Sequence, residues 1–472
     1  MVPLTEDTKQ APAPAAGAER RSRPQAGAEL ELTIDSLAFG GSGVARDDGY
    51  VVFVRGAIPG DRVRARVGKR KRSYAEARMV EVLDPGPDRI AERAPHPGAP
   101  WQVLPYERQL VEKGAQVREA FTRLGGFDDA PVADVVPAVE TWSYRNKVEY
   151  SFGPAAGDGA EEPVLGFHAA GRWDRIEDVS HDVLASARVN EVRERVKAWC
   201  RRERLPAQDR SSHTDLLRNL VVREGRRTGL VQARLVTGPG DLAVDRLAAE
   251  AGADSFLWTR DDGVAETTSG GQTRLVAGSE AIEEELEVAG ERLRFRFSPE
   301  AFFQTNTEMA ERLYAEAADL AGLTGRERLF DVYCGIGTIA LALSHRAREV
   351  WGLEVVERAV ADAIANAELN GIDNAHFFAG DVRLAMRPLV AEAGRPDVVV
   401  VDPPRAGLSA KVGRRVIEAG ARRIVYVSCN PTTLAPDARR MVDAGYRLRS
   451  VRPVDMFPQT PHIECVALLE RD

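Results

Sequence analysis

Long apolar runs are missing from this chain of 472 residues. No stretch approaches eighteen uncharged apolar residues, which excludes a membrane-spanning helix and leaves no reason to expect a membrane partner. Cysteine is scarce: Cys200, Cys334, Cys429 and Cys465 lie far apart with no Cys-x-x-Cys spacing. That pattern excludes a zinc ribbon or a disulfide framework and fits a reducing compartment. The first residues carry Glu6 and Asp7 and no apolar segment, so a secretory signal is not expected and the cytoplasm is. Basic charge is not in excess. The net charge of −8 argues by its total against a nucleic-acid partner, although segregated charge can hide a basic surface. There is no Gly-Lys-Ser/Thr, so a phosphate-cradling P-loop is absent.

What is present divides the chain into parts. Composition is that of a globular protein, 44% hydrophobic and 29% charged, and the length suits two or three domains. Residues 1–28 are rich in Ala and Pro without periodicity and read as a disordered tail. Residues 29–85 hold several short strands with glycine turns, as in a small OB-like β-barrel. Within it Arg62, Arg64, Arg66, Lys69, Arg70, Lys71 and Arg72 form an acid-free basic run. A solvated edge strand would explain it, but a phosphate-tracking surface fits a small barrel better. Residues 86–295 open with helical spacing over 106–124 and continue as a mixed, mostly β segment whose residues say little about chemistry. Over 296–472 strands and helices alternate, the signature of a doubly wound α/β sheet. The expected strands are Leu329–Tyr333, Glu349–Leu353, Ala375–Phe378, Val398–Val401, Arg423–Val427, Tyr446–Pro453 and Ile463–Leu469. No helix fits between the last two, so Ile463–Leu469 is expected to run antiparallel.

The chemistry concentrates in this last part. Cys334-Gly335-Ile336-Gly337-Thr338 follows the first strand, Glu354 ends the second, Asp331 ends the first, and Asp381 follows Ala379-Gly380. Glycines let the backbone pass close under a ligand, and an acid at the end of the second strand can receive ribose hydroxyls. The third glycine of the dinucleotide fingerprint is missing, because Ala340 follows Thr338-Ile339. A ligand with a ribose but no pyrophosphate fits better, and S-adenosylmethionine is the obvious one. A structural turn with solvated acids is the plain alternative. The fourth strand runs into Asp402-Pro403-Pro404-Arg405; an aromatic in place of Arg405 would suit methylation of exocyclic amines, so that chemistry is disfavoured. Cys429 follows the fifth strand, where open α/β sheets place their ligands, and Arg405 is a candidate cation to activate it. The other three cysteines read as inert buried thiols. Glu464 opens the last strand, either as a solvated charge or, facing Cys429, as a general base.

Together, Phe302-Phe303-Gln304-x-Asn306, Tyr333-Cys334-Gly335-Ile336-Gly337, Asp402-Pro403-Pro404-Arg405, Ser428-Cys429-Asn430-Pro431 and Pro461-His462-Ile463-Glu464 resemble the RNA uracil-C5 methyltransferase family. The N-terminal barrel resembles a TRAM domain. The resemblance implies a class I Rossmann-like methyltransferase domain at the C-terminus. It also implies an S-adenosylmethionine site lined by Gln304, Tyr333, Glu354, Asp381 and Asp402, with Cys429 as nucleophile and Glu464 as base. Several members of that family bind a [4Fe–4S] cluster through cysteines just after the barrel. The corresponding Ala94–Trp101 has none, and His181 stands where the distant fourth ligand would be. No metal or iron–sulfur cluster is therefore expected, and the central domain is expected to hold by packing alone.

A cytosine-C5 enzyme would carry a second cysteine after a proline beside the fourth strand, where this chain has Pro403-Pro404, so uracil is favoured. A non-catalytic RNA-binding protein would have lost Cys429 or Glu464. The expected partner is RNA, with 23S ribosomal RNA favoured through the TRAM barrel and the transfer RNA T-loop uridine as the alternative. A monomer is expected.

Overall fold

The computed structural model describes residues 23–154, 162–169, 172–207, 216–263, 268 and 270–471. Residues 1–22, most of the expected tail, lie outside them. The chain forms two compact units, Met1–Arg89 and Ile90–Asp472.

In the first unit, strands β1 (Glu29–Thr33), β2 (Ser36–Leu37), β3 (Gly43–Asp47), β4 (Tyr50–Arg55), β5 (Arg62–Arg70) and β6 (Tyr74–Asp84) form one sheet in the order β1-β5-β6-β4-β3-β2. Alternating residues such as Leu32, Val52, Val54, Val63, Ala65 and Val67 fill its core, as a period of two demands. The end of the expected tail is tied in, since Gly27 N donates to Val67 O and Val67 N to Ala28 O. The basic strand differs from expectation. β5 lies between β1 and β6 rather than at an edge, and its arginines face acids of those neighbours. Arg62 pairs with Asp84 and Glu31, Arg64 with Glu81 and Glu31, and Arg66 with Glu29. Cross-strand positions on one face meet, so acids on β1 and β6 answer the basic strand between them. Lys69, Lys71 and Arg72, at the tip of the β5–β6 hairpin, are exposed and make no ion pair among the described residues.

The second unit opens with α1 (Tyr106–Arg123) and a sheet of β7 (Lys147–Pro154), β8 (Pro163–Ala169), β9 (Arg172–Asp178), β10 (Leu217–Glu224), β11 (Val231–Thr237), β12 (Ser255–Arg260) and β13 (Gln272–Ala277). Their order is β13-β12-β11-β10-β7-β8-β9. One face, with Val148, Tyr150, Leu220, Val222, Ala233 and Leu235, packs on α2 (Ala187–Arg202) and α3 (Val244–Ala251). The other is polar, carrying Lys147, Glu149, Ser151, Asn219, Arg223, Gln232 and Arg234. Packing alone does not hold this region. The buried His96 Nε2 lies 2.9 Å from Asp182 Oδ1, while His96 Nδ1 accepts from Gly98 N at 3.1 Å. A ring with Nδ1 accepting carries its proton on Nε2 and donates it to Asp182. The carboxylate also accepts from Tyr150 OH, Leu184 N and Ala185 N. Burial pushes the Asp182 carboxyl up, but His96, the Leu184 amide and Tyr150 together bring it below its usual range. The partner of His96 is thus Asp182 and not the adjacent, exposed His181.

A hairpin of β14 (Ile282–Val288) and β15 (Glu291–Phe297) leads through α4 (Thr307–Ala321) to the third sheet. Its strands are β16 (Arg328–Val332), β17 (Glu349–Glu354), β18 (Ala375–Ala379), β19 (Val398–Val401), β20 (Arg423–Ser428), β21 (Arg447–Val454) and β22 (Glu464–Glu470). The order is β18-β17-β16-β19-β20-β22-β21, parallel except for β22, which pairs antiparallel with β20 and β21. Between the strands run α5 (Thr338–Ser344), α6 (Glu357–Leu369), α7 (Val382–Ala393), α8 (Ala410–Ala419) and α9 (Pro431–Asp443). Both faces are covered, so alternate valines enter different cores: Val398, Val400 and Val425 one, Val399, Val401 and Ile424 the other. This places the carboxyl ends of β16, β17, β19 and β20 along one edge of a rigid platform.

Candidate active site

At the end of β16 the backbone turns sharply. Tyr333 adopts φ 68°, unfavourable for a side chain with a Cβ, before Gly335 (φ 54°) and Gly337 (φ 85°) lead into α5. Glu354, buried at the end of β17, holds the turn from across the strand. Its Oε2 accepts from Gly335 N at 3.2 Å, and its Oε1 from Val355 N and Val356 N at 2.7 and 3.0 Å. A carboxylate has about four acceptor sites, so one is left. Asp381 caps α7 by accepting from Arg383 N at 2.8 Å and stays exposed. The half-buried Tyr333 is pushed up by burial and then by the charges of Asp381 and Glu354, which places these three side chains together. Val355 and Val356, directly after Glu354, are 58% and 53% exposed; two apolar side chains left open beside the turn had no sequence signal beyond their position. Gln304 is buried between β15 and α4, where its carbonyl accepts from Asn146 Nδ2 at 2.9 Å. Its side chain makes no hydrogen bond among the described residues, so contact with the other four is not established.

Asp402 directly follows β19, near Asp331 of β16. Burial pushes Asp331 up to about 8, with the Asp402 charge next in effect. Burial alone raises Asp402 to about 7. Among the described residues neither oxygen of Asp331 has a hydrogen-bond partner; the Ala340 amide favours its charged form without a well-aligned bond. Glu464, buried, is raised well above the carboxylate range by burial and by Asp402, with Arg405 opposing. Three carboxyl groups so close in a low dielectric, without an ion pair among the described residues, suit a cationic ligand.

Ser428, the last residue of β20, lies opposite Cys465 of β22. Cys429 follows directly after β20 and Glu464 is the first residue of β22, so the two come at the same end of this strand pair. Glu464 exerts the largest charge effect on the Cys429 thiol. Cys429 is half-buried, whereas the other three thiols are buried. Asn430 caps α9 and donates through Nδ2 to Arg405 O at 3.1 Å, stapling the loop after β19 to the loop after β20. Arg405 Nη2 lies 3.4 Å from His462 Nδ1. Arg405 thus stands where the sequence suggested, yet it does not prevail. Burial, then Glu464 and Asp402, raise the Cys429 thiol to about 11, with Arg405 only partly offsetting them. His462 is held down to about 4 by burial and by Arg405, Arg145 and Lys113. Arg145 and Lys113 were not singled out from sequence. The alternation of polar and apolar residues in Lys147-Val148-Glu149-Tyr150-Ser151-Phe152 is the local signal that could have found the polar face near Arg145.

Comparison with known proteins agrees with this geometry. Residues 264–472 match the tRNA (uracil-5-)-methyltransferase family, and residues 23–80 match the TRAM domain. An RNA methyltransferase of Gloeobacter violaceus is 39% identical, over 94% of this chain and 97% of its own. One of Halalkalibacterium halodurans is 36% identical, over 93% of this chain and 96% of its own. The chain belongs to the RNA (uracil-5-)-methyltransferase family. Among solved structures, the Pyrococcus abyssi tRNA (uracil-54, C5)-methyltransferase in complex with S-adenosyl-L-homocysteine has a TM-score of 0.75 at 29% identity. It covers 93% of this chain and 100% of its own. The class I methyltransferase sheet and the small N-terminal β domain are those of this family. No described helix of this methyltransferase is long and apolar enough to cross a membrane.

Proposed function

We propose that this methyltransferase transfers a methyl group from S-adenosylmethionine to C5 of a uridine in RNA, with Cys429 as nucleophile and Glu464 as base. The observation that supports the reading is the antiparallel pairing of β20 with β22: Ser428 lies opposite Cys465, so Cys429, just after β20, and Glu464, the first residue of β22, come at the same end of the pair. Gln304, Tyr333, Glu354, Asp381 and Asp402 would hold the cofactor. The remaining acceptor site on Glu354 suits ribose hydroxyls, exposed Val355 and Val356 suit an apolar ring, and Asp331 and Asp402 suit positive charge. When bound, S-adenosylmethionine supplies an electrophilic methyl group and a positive charge that favours ionisation of the groups around it.

Uracil C5 is a weak nucleophile. The Cys429 thiolate adds its electron pair to C6, and the C5=C6 π pair moves to C5, conjugated with O4. The electron pair at C5 then takes the methyl that the cofactor would supply, the pair of the broken S–CH3 bond staying on sulfur as a neutral thioether. Glu464 removes the C5 proton, the C5–H pair restores C5=C6, and the C6–S bond breaks to return the thiolate. A thiol raised to about 11 is mostly protonated at neutral pH, so the reactive form depends on cationic help from Arg405 and from the bound cofactor. A raised carboxyl at Glu464 is a stronger base once ionised, and base catalysis of this kind contributes ~10²–10⁴-fold.

The TRAM barrel favours 23S ribosomal RNA. A specific observation favours transfer RNA: the structure of the Pyrococcus abyssi tRNA (uracil-54, C5)-methyltransferase aligns over 93% of this chain. Mapping 5-methyluridine in ribosomal and transfer RNA from cells with and without the protein decides between them. The chemistry is tested with RNA containing 5-fluorouridine, whose C5 has no proton to lose. With S-adenosylmethionine the wild type is expected to form a covalent adduct that Cys429→Ala cannot form. Absence of an adduct from the wild type, or turnover by Cys429→Ala, overturns the reading.

A further inference from the structure

The loop 455–463, which ends at Glu464, is held by an unusual number of outside donors. Four consecutive carbonyls are each taken by a different group. Met456 O accepts from Asn306 Nδ2 at 2.9 Å, and Phe457 O from Lys113 Nζ at 3.1 Å. Pro458 O accepts from Tyr144 OH at 3.0 Å, and Gln459 O from Trp101 N at 2.9 Å. Gln459, at φ 67°, is clasped by Gln109, whose Nε2 donates to Gln459 Oε1 at 2.8 Å while its Oε1 accepts from Gln459 N at 2.9 Å. The fully buried Lys113 Nζ also lies 2.5 Å from Asp455 Oδ1. These donors come from α1, from the segment 94–104, from the strand approach at Tyr144 and from the start of α4. The segment 94–101 is anchored in turn by His96 on Asp182 and by Ala99 packed with Tyr144, Val183 and Leu184.

We propose that Lys113, Gln109, Tyr144 and Trp101 are positioning residues for Glu464, forming a buried polar clamp that fixes the backbone leading into the base. The clamp joins the segment after the barrel to the reacting end of β22, so the His96–Asp182 anchor supports the chemistry as well as the fold. It rests on the reading of Glu464 as base. A carboxylate that must meet one C5 proton tolerates little displacement, and a misplacement of about 1 Å can cost about 10²-fold. Satisfying four carbonyls in a row removes the freedom that would allow it.

The proposal makes a specific demand on kinetics. Loss of the clamp slows proton removal and release of Cys429, while addition to C6 and methyl transfer proceed. The covalent protein–RNA intermediate then accumulates on ordinary uridine RNA, which a general structural defect would not cause. Unmodified bulk RNA from cells lacking the protein serves as substrate, with S-adenosylmethionine, for wild type, Glu464→Gln, Lys113→Gln and Tyr144→Phe. Turnover by the wild type and adduct accumulation by Glu464→Gln establish the underlying reading; failure of either overturns that reading. Given both, Lys113→Gln is expected to accumulate adduct with turnover slowed about 10²-fold. Tyr144→Phe, which removes one hydroxyl, is expected to do the same to a smaller extent and keeps the test decisive if Lys113→Gln does not fold. Adduct-free loss of activity, or wild-type turnover, in the folded variants overturns the clamp while leaving Glu464 as base.

Discussion

Two sets of carboxyl groups, all buried except the half-buried Asp402, lie in the second unit, and they are treated in opposite ways. Asp182 and Asp455 each face a donor side chain, His96 in one case and Lys113 in the other, at 2.9 and 2.5 Å. Asp331, Asp402 and Glu464 sit together with no ion pair among the described residues, and all three are pushed up by burial. A buried polar group without a partner costs stability, so the fold retains such groups where something else answers them. The paired set builds the platform, and in the function proposed above the unpaired set answers ligand, substrate and proton.

The contrast is broken most severely by removing a member of the paired set. Asp182→Ala strands His96, the Tyr150 hydroxyl and the Leu184 amide together, while the Ala185 amide keeps the Asp182 backbone carbonyl. Leaving buried donors unpaired costs about 1–3 kcal/mol each, without strict additivity, so a loss of at least about 3 kcal/mol is expected in denaturant unfolding. Asp331→Asn is the counterpart in the unpaired set. It removes no hydrogen bond and relieves like-charge crowding with Asp402, so ligand-free stability is expected to change by less than about 1 kcal/mol. Its effect belongs to binding: calorimetry should show weakened S-adenosylmethionine and a smaller loss for S-adenosylhomocysteine, which lacks the sulfonium charge. Equal instability of the two variants would remove the distinction.

The same contrast predicts a pH dependence. Asp331 titrates near 8 and Asp402 near 7 in the folded chain, far above the ordinary aspartate value near 3.9 in the unfolded chain. Between pH 6.5 and 8 the folded state therefore holds more protons than the unfolded one, and stability falls as pH rises through that window. His462, depressed to about 4, has the opposite slope, but that has fallen to half by about pH 6.5 and fades by about pH 7.5, leaving the two carboxyls to set the sign. Thermal unfolding of the ligand-free protein should show Tm dropping from pH 6.5 to 8, with saturating S-adenosylmethionine reducing the drop. A flat profile without ligand would mean that these carboxyls find partners in solution.

The strands of the third sheet could be read from the chain because Val398–Val401 and Ile424–Val427 are apolar runs bounded by turn residues, and the glycines after Tyr333 mark the turn. Ser428-Cys429-Asn430-Pro431 was legible since a capping asparagine and an N1 proline start α9 directly after the thiol. The clamp was not legible. His96 and Asp182 are 86 residues apart, Lys113 and Asp455 342, and no local spacing records a side-chain pair at such range. For the same reason the acids that answer the basic strand were not legible: Glu29, Glu31, Glu81 and Asp84 lie on other strands and meet Arg62, Arg64 and Arg66 only in the folded sheet.

That strand extends the comparison to the first unit and yields the smallest expected effect. Three arginine charges against the four acids around them leave the face of β5 with a local balance of −1. Exposed pairs of this kind are weak, contributing about 0–1 kcal/mol, so they do not lock the arginines. What they do is cancel the field that would draw a phosphate backbone. The hairpin tip has no such cancellation, and Lys69, Lys71 and Arg72 keep their charge. Each phosphate contact removed lowers the slope of log binding constant against log salt by about 0.7–0.9. Neutralising all three tip residues to glutamine should therefore reduce the slope for RNA by about 2, whereas Arg64→Gln, which also frees Glu81, should change it by less than about 1. If Arg64→Gln carries the larger change, the paired strand rather than the unpaired tip is the RNA-gripping face, and pairing in the free protein is no guide to where this barrel meets its substrate.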